Sequence, residues 1–132
     1  ADHDILIPGN PGDSAERISS RIQGWIRAEA HQVFEERHAF WSEQMAPMGI
    51  SASWVEVRAM KRRWGSCRRN GKITLNLALM KYPLECIDAV IVHELCHLLE
   101  FNHSPRFYAH MTRAMPTWKQ WDRMLSRLAQ LY

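Results

Sequence analysis

The sequence predicts an α+β protein, a small antiparallel sheet packed with helices, one of which carries a cluster of histidines. Three observations predict it. A long stretch with apolar residues at helical spacing comes first, a short run of strand formers around Asn70-Gly71 follows, and three further helical stretches bounded by prolines close the chain.

Each element has its own signal. Residues 1–12 hold two prolines and two glycines with no periodicity, and with Ala1 in place of Met they read as a tail left by a truncated N-terminal region. Asp13 followed by Glu16 resembles a capped helix start. Ile18, Ile22, Trp25, Ile26, Val33, Phe34, Phe40, Trp41 and Met45 then recur at helical spacing until Pro47 and Gly49 stop them. From Trp54 the pattern changes to strand, and Asn70-Gly71 is a two-residue turn signal between residues 65–69 and 72–76. Pro83 suits the first turn of a helix whose buried stripe is Leu84, Ile87, Val90, Ile91, Leu95 and Leu98, running to about Glu100. Ser104-Pro105 opens another helix, Pro116 closes it, and Thr117 with Gln120 forms a capping box for a last helix to Leu131.

With 132 residues, 46% hydrophobic and 23% charged, the chain is sized for one domain over residues 1–132 and lies far from the composition of disorder. Its most apolar stretch, residues 87–99, is interrupted by Asp88, His93, Glu94 and His97, which excludes a membrane span. Cys67, Cys86 and Cys96 leave an odd thiol in any pairing, and no leader-like segment opens the chain. A cytoplasmic location is expected.

Residues 93–97 read H-E-x-x-H. On a helix, His93 and His97 lie one turn apart on one face, a separation that suits two imidazoles closing on one ion. A catalytic zinc needs a third protein ligand and an open fourth position, and His103 follows six residues after His97. One zinc per chain held by His93, His97 and His103 is therefore expected. Glu94, one residue round the helix from His93, is the expected general base of a hydrolase. A chance match to the motif arises roughly once in forty in a chain of this composition, and the third histidine weighs against chance. No glycine lets the chain double back between His97 and His103, so Asn102, which tolerates the left-handed conformation, is the expected reversal point. Tyr108, Asn76 and Arg106 are conceivable oxyanion donors, but packing, strand and solvent roles explain them more simply.

Arg63-Trp64-Gly65-Ser66-Cys67, Ile73-Thr74-Leu75-Asn76, the motif at 93–97 and Asn102-His103-Ser104-Pro105-Arg106-Phe107 together resemble, in order and spacing, the YgjP-like metallopeptidase domain family. The resemblance spans about residues 54–131. It implies a zincin-like α+β fold and a zinc-dependent hydrolase of the bacterial cytoplasm. More distantly the chain is similar to SprT-like and Wss-type proteases that act on proteins crosslinked to DNA. Members often carry tryptophan where this chain has Tyr108. Most members are called metallopeptidases by motif, and some carry a UTP pyrophosphatase label. The first expectation is thus a zinc metallopeptidase acting on a protein or peptide; the alternatives are a nucleotide (UTP) pyrophosphatase and a DNA-associated protease or binding module.

Lys61, Arg62, Arg63, Arg68, Arg69 and Lys72 concentrate positive charge in twelve residues of a chain whose net charge is only +3. With Trp64 among them they could contact a nucleic acid or polyphosphate, although a solvated basic face beside a core tryptophan is the simpler reading. Glu35-x-x-His38 and Glu100-x-x-His103 echo di-iron helical sites but lack the two further glutamate-bearing helices. An exposed polar face explains His31, Glu35 and His38. Cys96 is expected to pack as a small apolar group, and Trp118 and Trp121 as core anchors.

Overall fold

The structure, a computed structural model, describes residues 14–129. The expected tail over residues 1–12 and the expected helix end at Leu131 lie outside the described residues. Helix α1 (Ala15–Met45) is capped by Ser14, whose Oγ accepts from Arg17 N at 3.1 Å, one residue beyond the expected Asp13. It ends in a 3-10 turn closed by Gly49 at φ 88°, as Pro47 and Gly49 foretell. Ala30, Phe34, His38 and Met45 are its buried residues, while Trp25 and Phe40 remain exposed, so the apolar spacing overstates the buried face.

Three strands follow, β1 (Trp54–Arg58), β2 (Gly65–Cys67) and β3 (Lys72–Asn76), in the order β1-β3-β2. The antiparallel pairing expected holds between β2 and β3. It does not hold for β1, which runs parallel to β3 with Trp54 opposite Lys72 and Arg58 opposite Asn76. The loop after β1 carries the chain past β3 to lay down β2 first, and the hairpin then returns β3 into the middle.

The hairpin turn also differs from a two-residue loop. Gly71 N donates to Arg68 O at 3.0 Å, Arg68 N to Lys72 O at 2.9 Å, and Gly71 alone in this turn has positive φ, 101°. A type I′ turn needs positive φ at both central residues; a type I turn closed by a left-handed glycine needs it only at the last. Space reinforces the requirement, since a Cβ on Gly71 would lie 2.4 Å from Ala52 O.

Helix α2 (Leu84–Cys96) is packed between α1, the sheet, α3 (Pro105–Ala114) and α4 (Trp118–Ala129). Ile91, Val92, Leu95 and Cys96 are fully buried, as are Ile73 and Leu75 of β3. Each large apolar side chain so buried contributes about 1.5–3 kcal/mol. Leu84, by contrast, is exposed, although Cys86 and Ile87 of the same first turn are buried, so it lies on the outer face of α2. Arg37 of α1 bonds Asp88 of α2 through two parallel contacts of 2.8 and 2.9 Å. Among the described residues no helix is long and apolar enough to cross a membrane.

Candidate metal centre

The last turn of α2 and its C-cap residue present His93 and His97 side by side, as the spacing expects. The helix ends at Cys96, four residues before the expected Glu100. Tighter turns then continue it, with Leu98 N bonding Leu95 O and Leu99 N bonding Cys96 O. No residue other than glycine has positive φ among the described residues, so Asn102 is not a left-handed reversal point; the chain bends through residues 101–102 in ordinary conformations. Ser104 then caps α3 by accepting from Phe107 N at 3.3 Å, with Pro105 in the first turn.

This path carries His103 back over the end of α2. His103 Nε2 lies 3.2 Å from His93 Nε2 and 3.1 Å from His97 Nε2, and one ligand atom from each histidine lies within 4.8 Å of the others. Two nitrogen ligands at tetrahedral angles on zinc would stand about 3.3 Å apart, so the donors fit such an ion. His97 Nδ1 is 3.2 Å from the carbonyl of Glu100. A carbonyl only accepts, so Nδ1 carries the proton and Nε2 keeps its lone pair turned inward. Burial, then the charges of His97 and His103, hold the His93 pKa down at about 4; burial also lowers His97. Neutral imidazole is the form that ligates a metal.

Phe107 is a site residue that spacing alone does not flag. Its buried ring lies 4.9, 4.6 and 5.0 Å from the rings of His93, His97 and His103, forming the floor under all three. Phe101 stacks on the outer side of His97 at 6.0 Å, and Arg69 at the hairpin tip covers Phe101 at 4.4 Å.

Glu94 is 5% exposed, and burial pushes its carboxyl up to about 8 against the opposing charge of Arg63. It faces β2, where Gly65 has no side chain. A Cβ there would lie 3.2 Å from Glu94 Cγ, 3.0 Å from Val90 Cγ1 and 3.1 Å from Thr74 O. Gly65 thus lets β2 approach α2 at the carboxylate. Arg63 to Cys67 on one wall, the three histidines and Glu94 on another, and Trp118 with Asp122 of α4 line a cleft of about 590 Å³. Burial raises the Cys67 and Cys96 thiols to about 12, so neither offers a thiolate, and Cys96 packs in the core as expected.

The conceivable oxyanion donors have other work. Asn76 Nδ2 donates to Met60 O and Arg63 O, and its Oδ1 accepts from Ala78 N. Arg106 is exposed and stands 3.9 Å from Glu100, so the second E-x-x-H glutamate faces a surface arginine. Tyr108 stacks between His103 and Trp118. His38 is not on an exposed face: it is buried, with Nε2 2.7 Å from Ser53 Oγ. The basic cluster divides. Lys72 pairs with Glu56 at 2.9 Å and Arg69 covers Phe101, whereas Lys61, Arg62 and Arg63 stay together in the loop before β2.

A family model described as the YgjP-like, metallopeptidase domain matches residues 2–128. The chain belongs to that family. As a YgjP-like metallopeptidase domain it is a hydrolase, and the family carries with it a metal cofactor and protein or peptide substrates. Among curated proteins no sequence matches it. Two crystal structures share the fold of this YgjP-like domain. One is the metallopeptidase zymogen abylysin of Pyrococcus abyssi, with TM-score 0.62 and 22% identity over 73% of this chain and 95% of that one. The other is the metallopeptidase zymogen jannalysin of Methanocaldococcus jannaschii, with TM-score 0.58 and 17% identity over 75% of this chain and 97% of that one. The expected zincin-like α+β fold stands.

Proposed function

We propose that His93, His97 and His103 hold one zinc ion per chain and that Glu94 is the general base of peptide-bond hydrolysis. The approach of three imidazole nitrogens to within 4.8 Å, beside the buried carboxyl of the next residue, carries this reading. Three neutral nitrogen donors suit zinc. The chemistry zinc supplies when bound is that of a Lewis acid, lowering the pKa of water towards about 7 and polarising a carbonyl oxygen.

The protein's own groups do the rest. Glu94 takes a proton from water in the cleft onto a carboxylate oxygen and returns it to the departing amine nitrogen. Burial strengthens Glu94 as a base, and a cation held by the three histidines would favour its carboxylate, the form that takes the proton. Phe107 keeps water from the back of the histidines, and the Glu100 carbonyl fixes the tautomer of His97. β2 is an edge strand and lines the cleft. Its backbone groups turned away from β3 suit an extended peptide better than a compact nucleotide. Free thiols at Cys67, Cys86 and Cys96 fit the reducing cytoplasm as the place of action.

The test combines elemental analysis with proteolysis. Close to one zinc per chain is expected, lost in His93→Ala and His97→Ala and weakened in His103→Ala. Glu94→Gln should keep zinc and lose nearly all cleavage of an unfolded protein. Metal loss in Glu94→Gln would overturn its role as base. Pyrophosphate release from UTP with no proteolysis under any condition would overturn the peptidase reading.

A further inference from the structure

Lys61, Arg62 and Arg63 lie in the loop between β1 and β2, and with Trp64, Lys81 and Tyr82 they line a groove of about 310 Å³. Arg63 and Trp64 also line the cleft that holds Glu94, so the groove opens beside the site. Among the described residues no carboxylate stands within ion-pair distance of Lys61, Arg62 or Arg63. That separates them from their sequence neighbours Lys72 and Arg69, whose charges are used inside the fold on Glu56 and Phe101.

The loop is also held in shape. Asn76, 4% exposed at the end of β3, donates from Nδ2 to Met60 O at 2.9 Å and to Arg63 O at 2.7 Å. Asn76 N donates to Trp64 O at 2.9 Å. One buried residue therefore pins both ends of the three-residue basic turn, and Trp64 is fixed in turn by the edge of Tyr82 at 5.2 Å. A backbone fixed before a ligand arrives loses less freedom on binding it, and this one sets where the three basic side chains start. A solvated basic face needs no such clamp.

We infer that this groove is a specificity subsite for an acidic side chain of the substrate peptide, a carboxylate placed at a fixed position relative to the scissile bond. The inference rests on the peptidase reading above. The dimensions favour a side chain: the groove is local, it shares a wall with the cleft, and the remaining cations of the cluster are directed elsewhere. A nucleic-acid backbone needs a longer basic track than three adjacent residues.

The test is binding of fluorescent peptides, one with a central run of glutamates and one with glutamines, to zinc-loaded Glu94→Gln protein, with and without Lys61→Ser plus Arg62→Ser. Neither lysine nor arginine here touches the proposed metal site. The glutamate peptide should bind the parent more tightly, by about tenfold, and the double substitution should abolish that preference while leaving glutamine-peptide binding unchanged. Raising salt to about 0.5 M should shrink the difference. Equal binding of both peptides, or a preference that survives the double substitution, overturns the subsite. So does a single-stranded DNA oligonucleotide that displaces the glutamate peptide at lower concentration than the peptide's own Kd. Because binding is read directly, the subsite can fail while unfolded protein is still cleaved. Loss of the peptidase reading would instead appear as no cleavage by the unsubstituted enzyme.

Discussion

His38 sits where α1 meets the segment entering β1, its Nε2 2.7 Å from Ser53 Oγ and 3.3 Å from Ser42 Oγ. Burial lowers its pKa below the ordinary 6.5, against the pull of Glu35. The unfolded chain therefore takes up a proton at higher pH than the folded one. Stability from this residue is fully present above 6.5 and is lost as pH falls from there through the lowered folded value. His38→Gln, which keeps a polar group towards Ser53, is expected to flatten the fall of Tm between about pH 7 and pH 5. An unchanged slope would mean that His38 titrates alike in both states. Sequence spacing hid this residue because its partner Ser53 belongs to a later segment. It displayed His93 and His97 because their relation is local, one helical turn. Gly65 is hidden for the same reason as His38: its close neighbours Glu94 and Val90 are on α2, and in the sequence it stands out only as part of the Arg63-Trp64-Gly65-Ser66-Cys67 resemblance.

At the scale of elements, the Arg37–Asp88 pair is the polar fastening of α1 to α2. Asp88 lies almost fully buried, and Arg37 reaches it with both a side and an end nitrogen. Charge-assisted paired bonds of this kind are the strong ones, and removing one partner strands the other. Asp88→Ala is expected to lower stability by about 2–3 kcal/mol, below the about 3–5 kcal/mol for a fully buried pair because Arg37 is partly solvated. Denaturant unfolding checks it, with Arg37→Leu plus Asp88→Leu expected to recover much of the loss. A loss below about 0.5 kcal/mol would assign the docking to apolar contacts alone. Helices, their prolines and the Ser104 cap were readable from sequence because each signal lies within a few residues of the feature it makes. The pairing of β1 was not, since strand neighbours are chosen by the whole sheet.

For the whole molecule, the proposed zinc ion would couple to the fold. The three histidines come from two segments joined by the bend at residues 101–102, so an ion bridging them would bind the folded chain more tightly than the unfolded one. Chelation of zinc is expected to lower Tm, and restoring zinc to raise it, by about 2.7 kcal/mol in stability when free zinc is about a hundredfold above Kd. His103→Ala should reduce that response, and a Tm indifferent to chelation in the unsubstituted protein would place the ion elsewhere. The parallel pairing of β1 with β3 also orders assembly in time. The β2–β3 hairpin closes over a few residues, whereas β1 must wait for a longer loop to close. Until it arrives, the backbone N–H and C=O groups of β3 on the side that β1 will pair form an open edge, able to pair with other unfinished copies. A newly made chain is therefore expected to be most vulnerable to aggregation after the hairpin wall of its cleft has formed and before its first strand has come home.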